Sequence, residues 1–134
     1  MNEKTQAYGY RAELPAPFEE AVARVREELG AEGFGVLTEI DVRETLKKKL
    51  DAEFRRYVIL GACNPQLAYR ALQEELEIGL LLPCNVVVYE TEQGSTVSIV
   101  DPVMMLGVVE NPTLEPIAEE AREKLRRVMA SLSG

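Results

Sequence analysis

Two cysteines, each followed by an asparagine, are the residues of this chain whose types best suit chemistry: Cys63-Asn64 and Cys84-Asn85. The sequence contains no histidine. Triads, general bases and metal ligands built on imidazole are therefore excluded. Cys63 stands just before Asn64-Pro65, which reads as a helix N-cap followed by a first-turn proline. Backbone N–H groups and the helix dipole at such a place favour a thiolate, which would lower the pKa of Cys63 and raise its reactivity. The opposing reading is a small buried hydrophobe, because free cysteine is among the most buried residue types.

The remaining candidates have simpler explanations beside their chemical ones. Two cysteines are too few for a closed zinc site. Soft Cu(I) accepts thiolates and thioethers, and Met104 and Met105 would supply the latter, although methionines beside Leu106 and Val108 also suit packing. Glu39, Asp41, Glu90 and Asp101 fall near strand ends, where a carboxylate pair would serve acid–base work. Asp41 reads more simply as a helix cap and Asp101 as a turn residue before proline. Gly33-Phe34-Gly35 leads into a strand and lacks the spacing of a dinucleotide fingerprint. Lys47, Lys48 and Lys49 read as a solvated helix face.

The elements that must position these residues follow from periodicity. Alternation of Tyr8, Tyr10, Ala12 and Leu14 predicts a first strand over residues 4–13. Phe18, Ala21, Val22, Val25 and Leu29 form the apolar stripe of a first helix, which Gly33 ends in a left-handed conformation. A second strand spans about 34–40, and Asp41 with Glu44 opens a short second helix. The nearly continuous apolar run at 57–60 marks a third strand, about 54–62, that is covered on both faces or central in the sheet. A third helix starts at Asn64, residues 77–83 read as extended, and strands at 84–91 and 96–100 flank the turn Glu92-Gln93-Gly94-Ser95. Residues 104–109 read as an apolar connection, and Thr113 as the cap of the last helix. The order is β-α-β-α-β-α-β-β-α.

A third helix of about a dozen residues carries the chain ~18 Å away from Cys63. The segment 77–83 returns it by ~23 Å. Both thiols are then expected at one end of the sheet, with Cα atoms within roughly 10 Å, near disulfide reach. This holds if the third and fourth strands are neighbours; a crossover leaves the cysteines at opposite ends.

All 134 residues read as one domain (1–134), with 46% hydrophobic and 28% charged residues. The formal charge of −8 makes nucleic acid and anionic membrane poor partners. Residues 1–6 lack the apolar core of a leader, and the run 78–82 is too short to span a bilayer, so a cytoplasmic location with reduced thiols is expected. The absence of Trp and the Glu/Arg pairs suit a thermophile.

Four ordered motifs are familiar together: Gly33-Phe34-Gly35-Val36-Leu37-Thr38-Glu39-Ile40-Asp41, Tyr57-Val58-Ile59-Leu60-Gly61-Ala62-Cys63-Asn64-Pro65, Leu80-Leu81-Leu82-Pro83-Cys84-Asn85-Val86-Val87-Val88-Tyr89 and Val100-Asp101-Pro102. Over nearly the whole chain the sequence resembles domain-of-unknown-function family 302. The resemblance implies a small α+β domain of the TATA-binding-protein-like kind and a dimer. It implies no activity, and it puts both cysteine motifs among the family's marks.

The expectation is thus an α+β domain with a single five-stranded, mainly antiparallel sheet and helices packed on one face. The leading functional reading is a binding module for a small ligand or a soft metal, rather than an enzyme. Its site is a rim lined by Cys63, Asn64, Pro83, Cys84 and Asn85, whose amides offer paired donors and acceptors beside an anion-friendly helix end. The rival is a thiol-redox or sulfur-transfer protein with Cys63 as nucleophile and Cys84 as resolving partner. A third is a purely structural assembly subunit. No catalytic residue, resident metal or cofactor is assigned. The expected partners are a small molecule and a second copy, the latter docking through 78–82 or 104–109 as a two-fold homodimer.

Overall fold

In the computed structural model, which describes residues 4–5 and 7–133, the chain runs β1 (Lys4–Thr5), β2 (Gly9–Leu14), α1 (Phe18–Ala31), β3 (Gly35–Asp41), α2 (Val42–Leu50), β4 (Tyr57–Cys63) and α3 (Pro65–Glu74). A 3-10 helix (Leu76–Leu81), β5 (Cys84–Thr91), β6 (Gly94–Val100), α4 (Pro102–Gly107), a 3-10 turn (Pro112–Leu114) and α5 (Glu115–Ser133) complete it. The strands form one open antiparallel sheet in the order β1-β2-β6-β5-β4-β3. Its five long strands and the helices between them give the expected α+β order. The first strand differs: β2 begins only at Gly9, and Lys4–Thr5 folds back onto it as a two-residue edge.

Period-two alternation decides which face each strand residue takes. Tyr10, Ala12 and Leu14 of β2, Leu60 of β4, Val86 and Val88 of β5, and Val97 and Ile99 of β6 all point to one buried face. Ala21, Val25 and Leu29 of α1 and Leu125, Val128, Met129 and Leu132 of α5 close over it. These are the apolar stripes read from the sequence, so the main core rests on local pattern. Asp41 Oδ1 accepts from the N–H of Glu44 at 2.9 Å and starts α2. Gly33, at φ 84°, ends α1 in a conformation that costs a glycine little.

A second apolar cluster lies beside the first: Leu67 and Ala71 of α3, Ile78, Leu106 of α4, Leu114, and Ile117, Ala118 and Ala121 of α5. Three expectations change here. Residues 77–83 are not extended; Leu76–Leu81 is a 3-10 helix that buries Ile78 completely. Residues 104–109 are not a plain connection either, because Asp101 caps a helix whose first residue is Pro102. Asn111 rather than Thr113 caps the last helical stretch, its Oδ1 accepting from the N–H and hydroxyl of Thr113 at 3.1 and 2.6 Å. Each segment is too short to show a helical period, and its conformation is held by the cluster it packs against. Among the described residues no helix is long and apolar enough to cross a membrane.

Candidate functional site

β4 and β5 are antiparallel neighbours with Ala62 opposite Cys84. Cys63 is one step further along, so strand geometry separates the two cysteine Cα atoms by about 6 Å. Both are free thiols. They line one cavity of ≈ 40 Å³ together with Asn64 and Pro83, roofed by Leu67 of α3, Leu106 of α4 and Ile117 of α5. That space has room for a few water molecules. It is far smaller than the roughly 300 Å³ that a metabolite-sized ligand needs.

Asn64 holds the helix end above the thiols. Its Oδ1 accepts from the N–H of Leu67 at 3.2 Å, and its carbonyl accepts from Ala68 at 2.9 Å. Its Nδ2 also donates to the Glu32 carbonyl at 3.5 Å, a long contact that ties α3 to the end of α1. Pro65 has no N–H and that of Leu67 is taken, so the helix end has little left for a thiolate or another anion. Burial then dominates: it pushes the Cys63 thiol up. Burial, with Cys63 adding to it, pushes Cys84 up to about 11. The expected lowering at Cys63 is reversed, and burial of the thiol is the cause.

Asn85 does not join this group. It follows Cys84 on a regular strand, so it faces the opposite side of the sheet, where it is exposed and lines a different cavity. Met104 and Met105 also stay out, since α4 reaches the thiols through Pro102 and Leu106. Gly61 is a site residue the sequence reading passed over. A Cβ there would collide with Thr38 Oγ1 and come within 2.7 Å of Pro83 Cγ, so glycine lets Pro83 seat beside β4.

The four carboxylates singled out as acid–base candidates are otherwise engaged. Asp41 caps α2, Glu39 pairs with Arg26, and Glu90 Oε2 accepts from the Arg56 N–H at 2.8 Å. Asp101 is buried; it accepts from Val103 N at 2.9 Å and from Arg122 Nη2 and Nε at 3.0 and 3.3 Å. Burial pushes its carboxyl up, but the Arg122 guanidinium and the N–H groups of Val103 and Met104 outweigh that and hold it below the usual carboxylate range. A larger cavity of ≈ 330 Å³ lies where α4 meets α5, with Leu106 and Leu114 in its wall and Glu110, Glu115 and Glu119 lining it. No motif announced it, because its walls exist only once residues 102–107 coil.

Residues 10–132 match the family model described as "Domain of unknown function DUF302". Among solved structures the chain is similar to the crystal structure of an uncharacterized conserved protein DUF302 from Bacillus stearothermophilus. That match has 34% identity and a TM-score of 0.87, and covers 95% of this chain and 99% of the other. No curated protein matches.

Proposed function

This chain belongs to the DUF302 family of domains of unknown function, and from that premise we propose that it is a binding module whose site is the thiol cavity, with a soft metal ion such as Cu(I) as its occupant. The observation that carries this reading is that two free cysteines, at the end of β4 and the start of β5, border one partly open space of ≈ 40 Å³. A space of that size suits an ion, and paired thiolates select soft ones. The raised thiol pKa values favour binding over nucleophilic chemistry, because a redox cysteine works as a pre-formed thiolate. An ion entering the cavity displaces both protons, so affinity rises with pH.

The test is anaerobic competition for Cu(I) against the chromophoric chelator bicinchoninate. The wild-type chain is expected to withdraw one equivalent, while Cys63→Ser and Cys84→Ser, both folded by circular dichroism, withdraw none. A wild-type chain that leaves the chelator fully loaded, or a serine variant that competes equally well, overturns the reading.

Reduced thiols fit a cytoplasmic setting. A homodimer is favoured by a separate observation: Tyr69, Leu72, Leu76 and Leu80 are all exposed, the last two above 80%. Tyr69 and Leu72 are neighbours on one face of α3, and Leu76 and Leu80 follow on the 3-10 helix after the chain breaks at Glu75. A contiguous apolar face of this kind marks an interface. Light scattering is expected to give twice the monomer mass, and Leu76→Asp with Leu80→Asp to halve it.

A further inference from the structure

The face of the sheet opposite α1 and α5 carries a further cavity, of ≈ 390 Å³, with no helix residue in its lining. The register lays out its floor. Arg11 of β2, Ser98 of β6 and Val87 of β5 form one cross-strand row. Gly9 lies on the same face as Arg11, where a Cβ would come within 2.8 Å of the Ile99 carbonyl oxygen, and Asn85 projects from the adjoining row. One wall is aromatic: Tyr57 and Tyr89 face each other across β4 and β5, with ring centroids 5.4 Å apart and planes within 6°. Tyr8 stands beside them.

Arg11 is the unusual member. Its Nε is buried, and among the described residues it has no hydrogen-bond partner and Arg11 enters no ion pair. An unmet buried donor on a charged group is costly, and it points to an acceptor that arrives from outside the chain. A carboxylate answers it side-on once the guanidinium turns toward the cavity, taking Nε and one Nη together. The stacked tyrosines and Val87 offer a flat apolar surface next to that anchor. Ser98 and Asn85 add hydrogen-bonding groups that fix orientation. The volume lies within the range of small-molecule sites. Polyanions are disfavoured by the net charge of −8.

We propose that this open-face cavity is a second binding site, for a planar aromatic carboxylate, with Arg11 as the anion anchor and the Tyr57–Tyr89 pair as the surface its ring lies on. The site is independent of the thiol cavity, since the strands' pleat sends Cys84 and Asn85 to opposite faces.

Benzoate, nicotinate and indole-3-acetate are the probes, each titrated to about 5 mM, where millimolar Kd values become visible, and followed by amide chemical shifts. At least one is expected to shift the amides of Arg11, Val87, Tyr89 and Ser98, while benzamide binds at least about tenfold more weakly. Arg11→Gln and Arg11→Lys, which keeps the charge but loses the fork, are each expected to weaken binding by about tenfold or more. Cys84→Ser is expected to leave it unchanged, which separates this result from that of the Cu(I) competition. Three outcomes overturn the proposal: no probe shifts these amides; both Arg11 variants, folded, bind like wild type; or the same amides shift with protein concentration alone, which assigns the face to a second copy.

Discussion

The thiol cavity and the open-face cavity share strands β4 and β5, yet they differ in what decides their occupants. One is small, partly open, bordered by helices, and lined by two cysteines whose protons burial retains. The other is nearly ten times larger in volume, built from strands, and presents a guanidinium, an amide and phenols to solvent-sized molecules. Adjacent residues of β5 serve the two: Cys84 turns inward and Asn85 outward. The difference shows that chemistry here is sorted by the pleat of the sheet rather than by closeness in sequence. It also shows that the thiol side depends on the second apolar cluster, whereas the open side depends on strand register alone.

The sharpest way to break that contrast is Leu106→Ala. Leu106 is buried in the second cluster and lines the thiol cavity. Its truncation is expected to cost about 2–5 kcal/mol by urea denaturation. It should also enlarge the thiol cavity enough to admit an apolar probe such as xenon, while amide shifts on the open face stay in place.

A smaller effect separates the two sides by pH. Asp101 caps α4 and pairs with Arg122 of α5, so it holds the wall of the thiol cavity. Its folded pKa is depressed. Its contribution is therefore present above the unfolded value of about 3.9 and is lost as pH falls through the folded pKa. Asp101→Asn is expected to remove about 1–3 kcal/mol at neutral pH and to flatten the acid limb of the stability profile. Denaturation midpoints measured from pH 7 down to 3 check it; an unchanged acid limb counts against the pair as a clamp.

The smallest effect is at the helix end. Asn64→Ala is expected to cost about 1 kcal/mol by loss of the cap, and to make Cys63 react faster with iodoacetamide as α3 frays. Asn64→Asp keeps the cap but loses the donor to the Glu32 carbonyl, so it should fall between wild type and alanine.

Much of this molecule was legible from residues 7 to 133 before any coordinates. The stripes of α1 and α5, the alternation in β2, β5 and β6, and the caps Asp41 and Asn64 are local signals, and each reappears in place. Asn85 was legible too, since a strand that buries Cys84 must expose its neighbour; placing both in one rim ignored the pleat. Other features were not available locally. The 3-10 helix at Leu76–Leu81 and the helix at Pro102–Gly107 are too short to nucleate alone, and only Ile78 and Leu106 packing against α3 and α5 make them. The direction of the cysteine shifts was undecidable for a related reason. A helix end and a buried strand end pull a thiol opposite ways, and the choice depended on how far the three helices around the cavity bury the thiols. Sequence periodicity determined the long strands and the longer helices, while the pairing of β4 with β5 brought the thiols to one end of the sheet. Tertiary packing alone decided how small that meeting place is, which face is left open, and that Arg11 stands there with a donor unmet.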